Sequence, residues 1–173
     1  MLTEEEKKIL FKLTRNVINN KEDPIHYDEL TDNLLERAAT FLSIYKNNEL
    51  ITSIGSLKPE NEIFQDVMDN TLTLLSTIKK YDNTKLEISI LKNIRKQHFE
   101  TEKELFGNLI PFKHGVIIEK NKRAATLLPL VWNQIKGKEE FLSQICLKMN
   151  LEKGSWKKNA EIFFFETETF VEE

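Results

Sequence analysis

Two pairs of short β-forming runs, each pair joined by a few turn-forming residues, constrain this 173-residue chain more than any other feature. Thr40-Phe41-Leu42-Ser43-Ile44-Tyr45 and Leu50-Ile51-Thr52-Ser53-Ile54 flank Asn47-Asn48, and asparagine tolerates the positive φ that a tight hairpin turn requires. Val116-Ile117-Ile118 and Ala124-Ala125-Thr126-Leu127-Leu128 flank Glu119 to Arg123 in the same way. Strands that pair locally, with helices between the groups rather than after every strand, predict α+β rather than a doubly wound parallel sheet. The expected architecture is a single domain over residues 1–173, an antiparallel sheet built from hairpins with flanking helices.

Helical periods supply those flanks. Thr3 can cap a first helix with Glu6 three residues on, followed by Ile9, Leu10, Leu13, Val17 and Ile18 on one face. A short helical piece is expected from Asp28 to Glu36. Ile63, Phe64, Val67, Met68, Leu72, Leu75 and Ile78 keep the period of a long helix. Phe141, Leu142, Ile145, Cys146 and Met149 form the stripe of a C-terminal one. Leu86, Ile88 and Ile90 alternate with Glu87 and Ser89, as in a strand with one face in the core. The stretch from Lys92 to Phe112 is read as holding a short helix before Pro111, and Ile162-Phe163-Phe164-Phe165 opens a last strand.

Composition then removes function classes. The net charge is -3, from 25 basic and 28 acidic residues, unlike the uniformly basic balance of a dedicated nucleic-acid binder. The charge is segregated: residues 91–160 carry 14 basic and 7 acidic side chains, while the stretches on either side are acidic. The longest charge-free stretch in the C-terminal half, Ala124 to Ile135, is far short of the roughly 20 apolar residues of a spanning helix. One cysteine cannot form an internal disulfide, and an acidic start is unlike a secretory signal, so a cytoplasmic protein is expected. Five glycines, none closer than eight positions to another, cannot build a phosphate-cradling loop.

Catalytic and metal-binding motifs are incomplete. His26, His98 and His114 make no HxxxH or HExxH spacing, and no metal site is assigned. His98, Glu100, Glu102 and Glu104 would share a face if extended, but such charge runs are usually solvated surface. Cys146 lies in phase with an apolar stripe and reads as a buried thiol, and Trp132 and Trp156 read as packing residues. His114, before Gly115 at a strand entry, can bond the backbone or line a cleft as acid or base. Lys120-Asn121-Lys122-Arg123, Lys136-Gly137-Lys138 and Lys153 to Lys158 around Trp156 could bind a nucleic-acid backbone, yet the chain holds only four arginines against 21 lysines.

Seven segments, in order, resemble the AMMECR domain family, whose prokaryotic members are called AmmeMemoRadiSam system protein A. They are Thr3-Glu4-Glu5-Glu6, Glu49-Leu50 with Ile54-Gly55-Ser56-Leu57, Leu86-Glu87-Ile88-Ser89-Ile90-Leu91, His114-Gly115-Val116-Ile117-Ile118, Leu127-Leu128-Pro129, Glu139-Glu140-Phe141-Leu142, and Phe165-Glu166. The resemblance runs from Thr3 to about Val171. It implies an α+β unit, and an association with a Memo-like protein and a radical S-adenosylmethionine enzyme in a redox or modification pathway. The family's signature strand reads Leu-Arg-Gly-Cys-Ile-Gly-Ser, whereas this chain has Leu50-Ile51-Thr52-Ser53-Ile54-Gly55-Ser56. The family's Asp-Pro-Arg-Phe segment is replaced by Lys80-Tyr81-Asp82-Asn83-Thr84. Ile51 has no charge for an anion and Ser53 is far less acidic than a thiol.

The expected role is an accessory or binding component, non-catalytic, with a groove near Ser53, Gly55, Ser56 and His114 for a partner or small molecule. Memo-like and radical S-adenosylmethionine proteins are the expected partners, and no cofactor is assigned. The alternatives are an enzyme using Ser53 or Ser56 with His114 as base, and nucleic-acid binding through the basic segment 91–160.

Overall fold

The computed structural model describes residues 1–19, 27–77 and 83–172. His26, Ile78 and most of the Lys80–Thr84 segment, each named above, lie outside those residues. The chain folds as two compact units, Met1–Ile90 with Glu168–Glu173, and Leu91–Thr167. The strands follow the order β2-β1-β3-β6-β4-β5, and β3 (Lys85–Lys96) and β6 (Glu161–Val171) each contribute residues to both units.

In the first unit, α1 (Glu4–Ile18) opens with the expected capping box: Thr3 Oγ1 accepts the Glu6 N–H, and Glu6 accepts the Thr3 N–H at 2.7 Å. β1 (Thr40–Lys46) and β2 (Glu49–Gly55) form the predicted antiparallel hairpin, with Asn47 and Asn48 at φ 52° and 65°. Positive φ at both central residues matches the right-handed twist of the strands, which a common turn would splay. α2 (Ile63–Thr77) packs Phe64, Val67 and Leu74 onto Leu42 and Ile44 of β1 and Leu86, Ile88 and Ile90 of β3. Arg15 fastens the end of α1, donating to both carboxylate oxygens of Glu172 and to the Thr84 carbonyl.

Two expectations need correction here. Asp28–Glu36 is a 3₁₀ turn at Tyr27–Glu29 followed by further turns, not a helical piece. The cause is visible in the side chains: Thr31 and Asn33 spend their polar groups on the buried Glu6 carboxylate, which favours turns over helix. β3 is also not half-buried: Leu86 to Leu91 are buried on both faces, including Glu87 and Ser89, and the strand runs on to Lys96.

In the second unit, β4 (Gly115–Lys120) and β5 (Arg123–Leu127) make the second hairpin through Asn121 and Lys122, again both at positive φ. β4 also pairs with β6, with Gly115 opposite Phe165. α3 (Glu102–Asn108), capped by Thr101, is the short helix expected before Pro111. α4 (Lys138–Lys148) carries Phe141, Leu142, Ile145 and Cys146 into a core with Val116, Ile118, Ile162 and Phe164. Both tryptophans are packing residues: Trp132 stacks on Phe141 with ring centres 3.8 Å apart, and Trp156 lies beside Phe106.

Candidate functional site

β2 holds Ser53 and Gly55, and its neighbours define what each residue does. Ser53 is exposed and stands opposite Ser43 of β1, whose hydroxyl shares a 2.9 Å hydrogen bond with it. Ser43 in turn stands opposite Glu87 of β3, so Ser53, Ser43 and Glu87 form one cross-strand row. The Tyr45 hydroxyl donates to Glu87 at 3.2 Å. Burial pushes the Glu87 carboxyl above its ordinary range against that bond, and burial with the Glu87 charge pushes Tyr45 up to about 12.

Gly55 and Ser56 are used by the fold. Gly55 lies beneath the Phe41 ring, where a Cβ would fall 2.3 Å from Phe41 Cγ. Ser56 donates to the buried Asp66 Oδ2 of α2 at 2.8 Å. The same oxygen accepts from the Thr40 N–H at 2.8 Å, the Thr40 hydroxyl at 2.6 Å and Asn70 Nδ2 at 3.1 Å. Sequence reasoning missed Asp66, because an aspartate in the first turn of a helix looks like an ordinary dipole partner.

The second unit holds His114 in a polar cleft of about 330 Å³ lined from β3, β6 and the turn before β4. Its Nδ1 accepts the Ile110 N–H at 3.2 Å, and the His114 backbone N–H donates to the Ile110 carbonyl at 3.0 Å. The ring stacks on Phe164 with centres 5.4 Å apart. Burial first, and then the Lys113 charge, lower the imidazole pKa against the Glu166 carboxylate and the Asn108 backbone. The neutral ring with Nδ1 occupied carries its proton on Nε2 and is a donor into its surroundings. Arg95, Lys113 and Glu166 also line this cleft, and none of them was a site residue in the sequence reading. Only Lys113, adjacent to His114, offered a signal.

Glu102 and Glu104 sit in the first turn of α3, so they do not share an extended face with His98 and Glu100. Glu104 accepts the Glu100 N–H, and Glu102 pairs with Lys157 at 3.2 Å. Among the described residues no group of three His, Cys, Asp or Glu side chains could hold a metal ion. Cys146 is buried, and burial raises its thiol pKa. Several lysines of the basic segment cap carbonyls: Lys120 on Ser155 and Lys158, Lys138 on Phe106, and Lys148 on Thr126. Lys157 pairs with Glu139 at 3.1 Å, and Lys153 stands 3.6 Å from Glu140.

The fold defines an antiparallel α+β protein whose glycines and serines in the resembling segments serve packing and polar clamps. The AMMECR1 family model matches residues 11–170, and the chain belongs to the AMMECR1 family. Protein MK0488 of Methanopyrus kandleri is 27% identical over 198 aligned residues, covering 99% of this chain and 91% of its own length. Protein NEQ441 of Nanoarchaeum equitans is 27% identical over 181, covering 96% of this chain and 98% of its own. The crystal structure of uncharacterized protein PH0010 from Pyrococcus horikoshii has the same fold, with a TM-score of 0.77 at 22% identity over 96% of this chain and 89% of that one. No helix among the described residues is long and apolar enough to cross a membrane.

Proposed function

We propose that this chain is a non-catalytic binding component that acts in the cytoplasm with Memo-like and radical S-adenosylmethionine proteins, in a redox or modification pathway. One observation carries the non-catalytic part: the atoms that a hydrolytic or acyl-transfer role would use are already occupied. Ser53 bonds Ser43, Ser56 donates to Asp66, and the His114 Nδ1 lone pair is filled by the Ile110 N–H. A serine nucleophile needs a base at its hydroxyl, and Ser56 has a structural carboxylate there that also clamps Thr40 and Asn70. The altered signature strand supports the same reading, since Ile51 and Ser53 supply neither a cation nor a thiol. The partner assignment rests on the family resemblance and on its gene association.

Lysines held on carbonyls or paired with glutamates are less available to a phosphate backbone, which weighs against nucleic-acid binding through residues 91–160. Affinity purification of the tagged chain from its own cells, with mass spectrometry, tests the proposal. Reproducible recovery of a Memo-like or radical S-adenosylmethionine protein is expected. Recovery of the chain alone, or of nucleic acid released by salt, overturns the partner assignment.

A further inference from the structure

The cleft around His114 is built for a particular kind of ligand. Three cations line it, Arg95, Lys96 and Lys113, against one carboxylate, Glu166. Lys96 is held by Glu161, and Lys113 stands 3.6 Å from Glu166. The Arg95 guanidinium is exposed and has no hydrogen bond or ion pair among the described residues. A guanidinium is planar and presents paired donors that match two oxygens of a phosphate or carboxylate.

The backbone around these groups is shaped in advance. Asn93 takes φ 54° inside β3, and it lines the cleft together with Arg95. On the opposite wall the turn before β4 is closed by the two Ile110–His114 hydrogen bonds, with Pro111 inside it and Phe112 at φ 65°. A left-handed phenylalanine is an uncommon conformation, kept only where its surroundings dictate it. It is followed directly by Lys113 and His114, so the strained turn delivers a cation and a neutral imidazole to the cleft.

We propose that this cleft binds a small phosphate ester bearing hydroxyl groups, with the phosphate on Arg95 and Lys113 and the hydroxyls on Glu166, Asn93 and Asn108. The proposal rests on the reading of the chain as a binding component and names its ligand. Arg95 supplies the fork and Lys113 the second charge, which suits a dianion better than a single carboxylate. Side-chain amides both donate and accept, and Glu166 accepts, which suits hydroxyl groups beside the anion. A volume of about 330 Å³ fits a sugar-phosphate-sized molecule and not a nucleic-acid strand.

The test is a titration of the full chain with glycerol 3-phosphate, followed by backbone amide shifts in NMR and by phosphorus NMR of the probe. Inorganic phosphate, glycerol and glycerate are titrated in parallel. Saturable shifts confined to residues 93–97, 108–114 and 164–166 are expected, with the ester bound more tightly than phosphate and the carboxylate more weakly. Arg95→Gln should weaken binding by about tenfold or more, Arg95→Lys by less, and Lys12→Gln in the first unit not at all. Arg95 is exposed, so its variants should keep the wild-type melting temperature; Lys113→Gln gives the same reading if they do not.

No saturable binding, shifts centred elsewhere, or equal binding by Arg95→Gln overturns the site. Equal affinity for phosphate and ester overturns the hydroxyl part, and tighter glycerate binding overturns the phosphate assignment. Conversion of the bound ester in the phosphorus spectrum overturns the non-catalytic reading while leaving the ligand class intact. Recovery of the expected protein partners without ester binding does the reverse.

Discussion

Phe41 covers Gly55 across the β1–β2 ladder so closely that a Cβ on Gly55 would sit 2.3 Å from Phe41 Cγ. The second unit repeats the device: Gly115 of β4 stands opposite Phe165 of β6, whose Cζ would lie 2.3 Å from an added Cβ. Neither glycine has a positive φ, so what they supply is close approach rather than conformational freedom. Gly55→Ala and Gly115→Ala are expected to lose about 1–3 kcal/mol in denaturant unfolding, the usual cost of overpacking. Removing the ring should recover part of it, so Gly55→Ala with Phe41→Leu should be more stable than the sum of the two single losses predicts. Strict additivity would show that the pair is not coupled.

Ser56 is expected to matter for stability and not for binding. Ser56→Ala removes one of the four donors to Asp66 Oδ2 and should cost about 1 kcal/mol. Asp66→Ala takes the acceptor from the buried Thr40 hydroxyl and leaves the Thr40 N–H only its 3.3 Å bond to Ser56 Oγ and the Asn70 amide only its bonds to Thr40, and should cost about 3 kcal/mol. Chemical denaturation measures both. A folded Ser56→Ala protein of unchanged stability that has lost an activity or a partner would return Ser56 to a functional role.

Two carboxylates should bend the pH profile in opposite senses. The Thr31 hydroxyl, foremost among the donors around Glu6, holds that carboxyl down to about 2. Its folded pKa is below the unfolded one, so Glu6 stabilises the protein above the usual carboxylate range and that stability fades as pH falls from about 4.5 toward 2. Glu87 is raised by burial, so its ionised form opposes folding as pH climbs through and above the same range. Melting temperatures across pH should therefore show Glu6→Gln less stable than wild type at pH 7 with a flatter acid limb. Glu87→Gln should be more stable at pH 7, by a margin that shrinks in acid. An acid limb identical in Glu6→Gln and wild type would sink the first claim.

Thiol chemistry separates the buried Cys146 from the exposed position of Ser53. Cys146 is fully buried and burial raises its pKa, so native protein should not react with a thiol reagent, whereas denatured protein should yield its single thiol. Ser53 is exposed, and Ser53→Cys should add one readily labelled thiol in the native state. Rapid native labelling of the wild-type protein would mean that the α4 core opens easily.

The local elements were legible because short-range chemistry decides them. Thr3 with Glu6, Asn47-Asn48 at the first hairpin turn, and the stripe from Phe141 to Met149 each carry their signal within a few residues, and the antiparallel α+β class follows from local pairing. Family membership was legible too, since it rests on ordered segments along the chain. Tertiary structure decided the rest. Glu87 and Ser89 read as a solvent face in one strand alone, yet both are buried in the folded chain. The Asp28–Glu36 stretch lost its helix because Glu6, more than twenty residues away, takes Thr31 and Asn33 as donors. Arg95 reaches the cleft of His114 only through the packing of β3 and β6 with the turn before β4. Sequence periodicity reports which face of an element is apolar; it carries no information on which polar groups from distant segments meet, and those meetings set burial, hydrogen bonding and charge at the site.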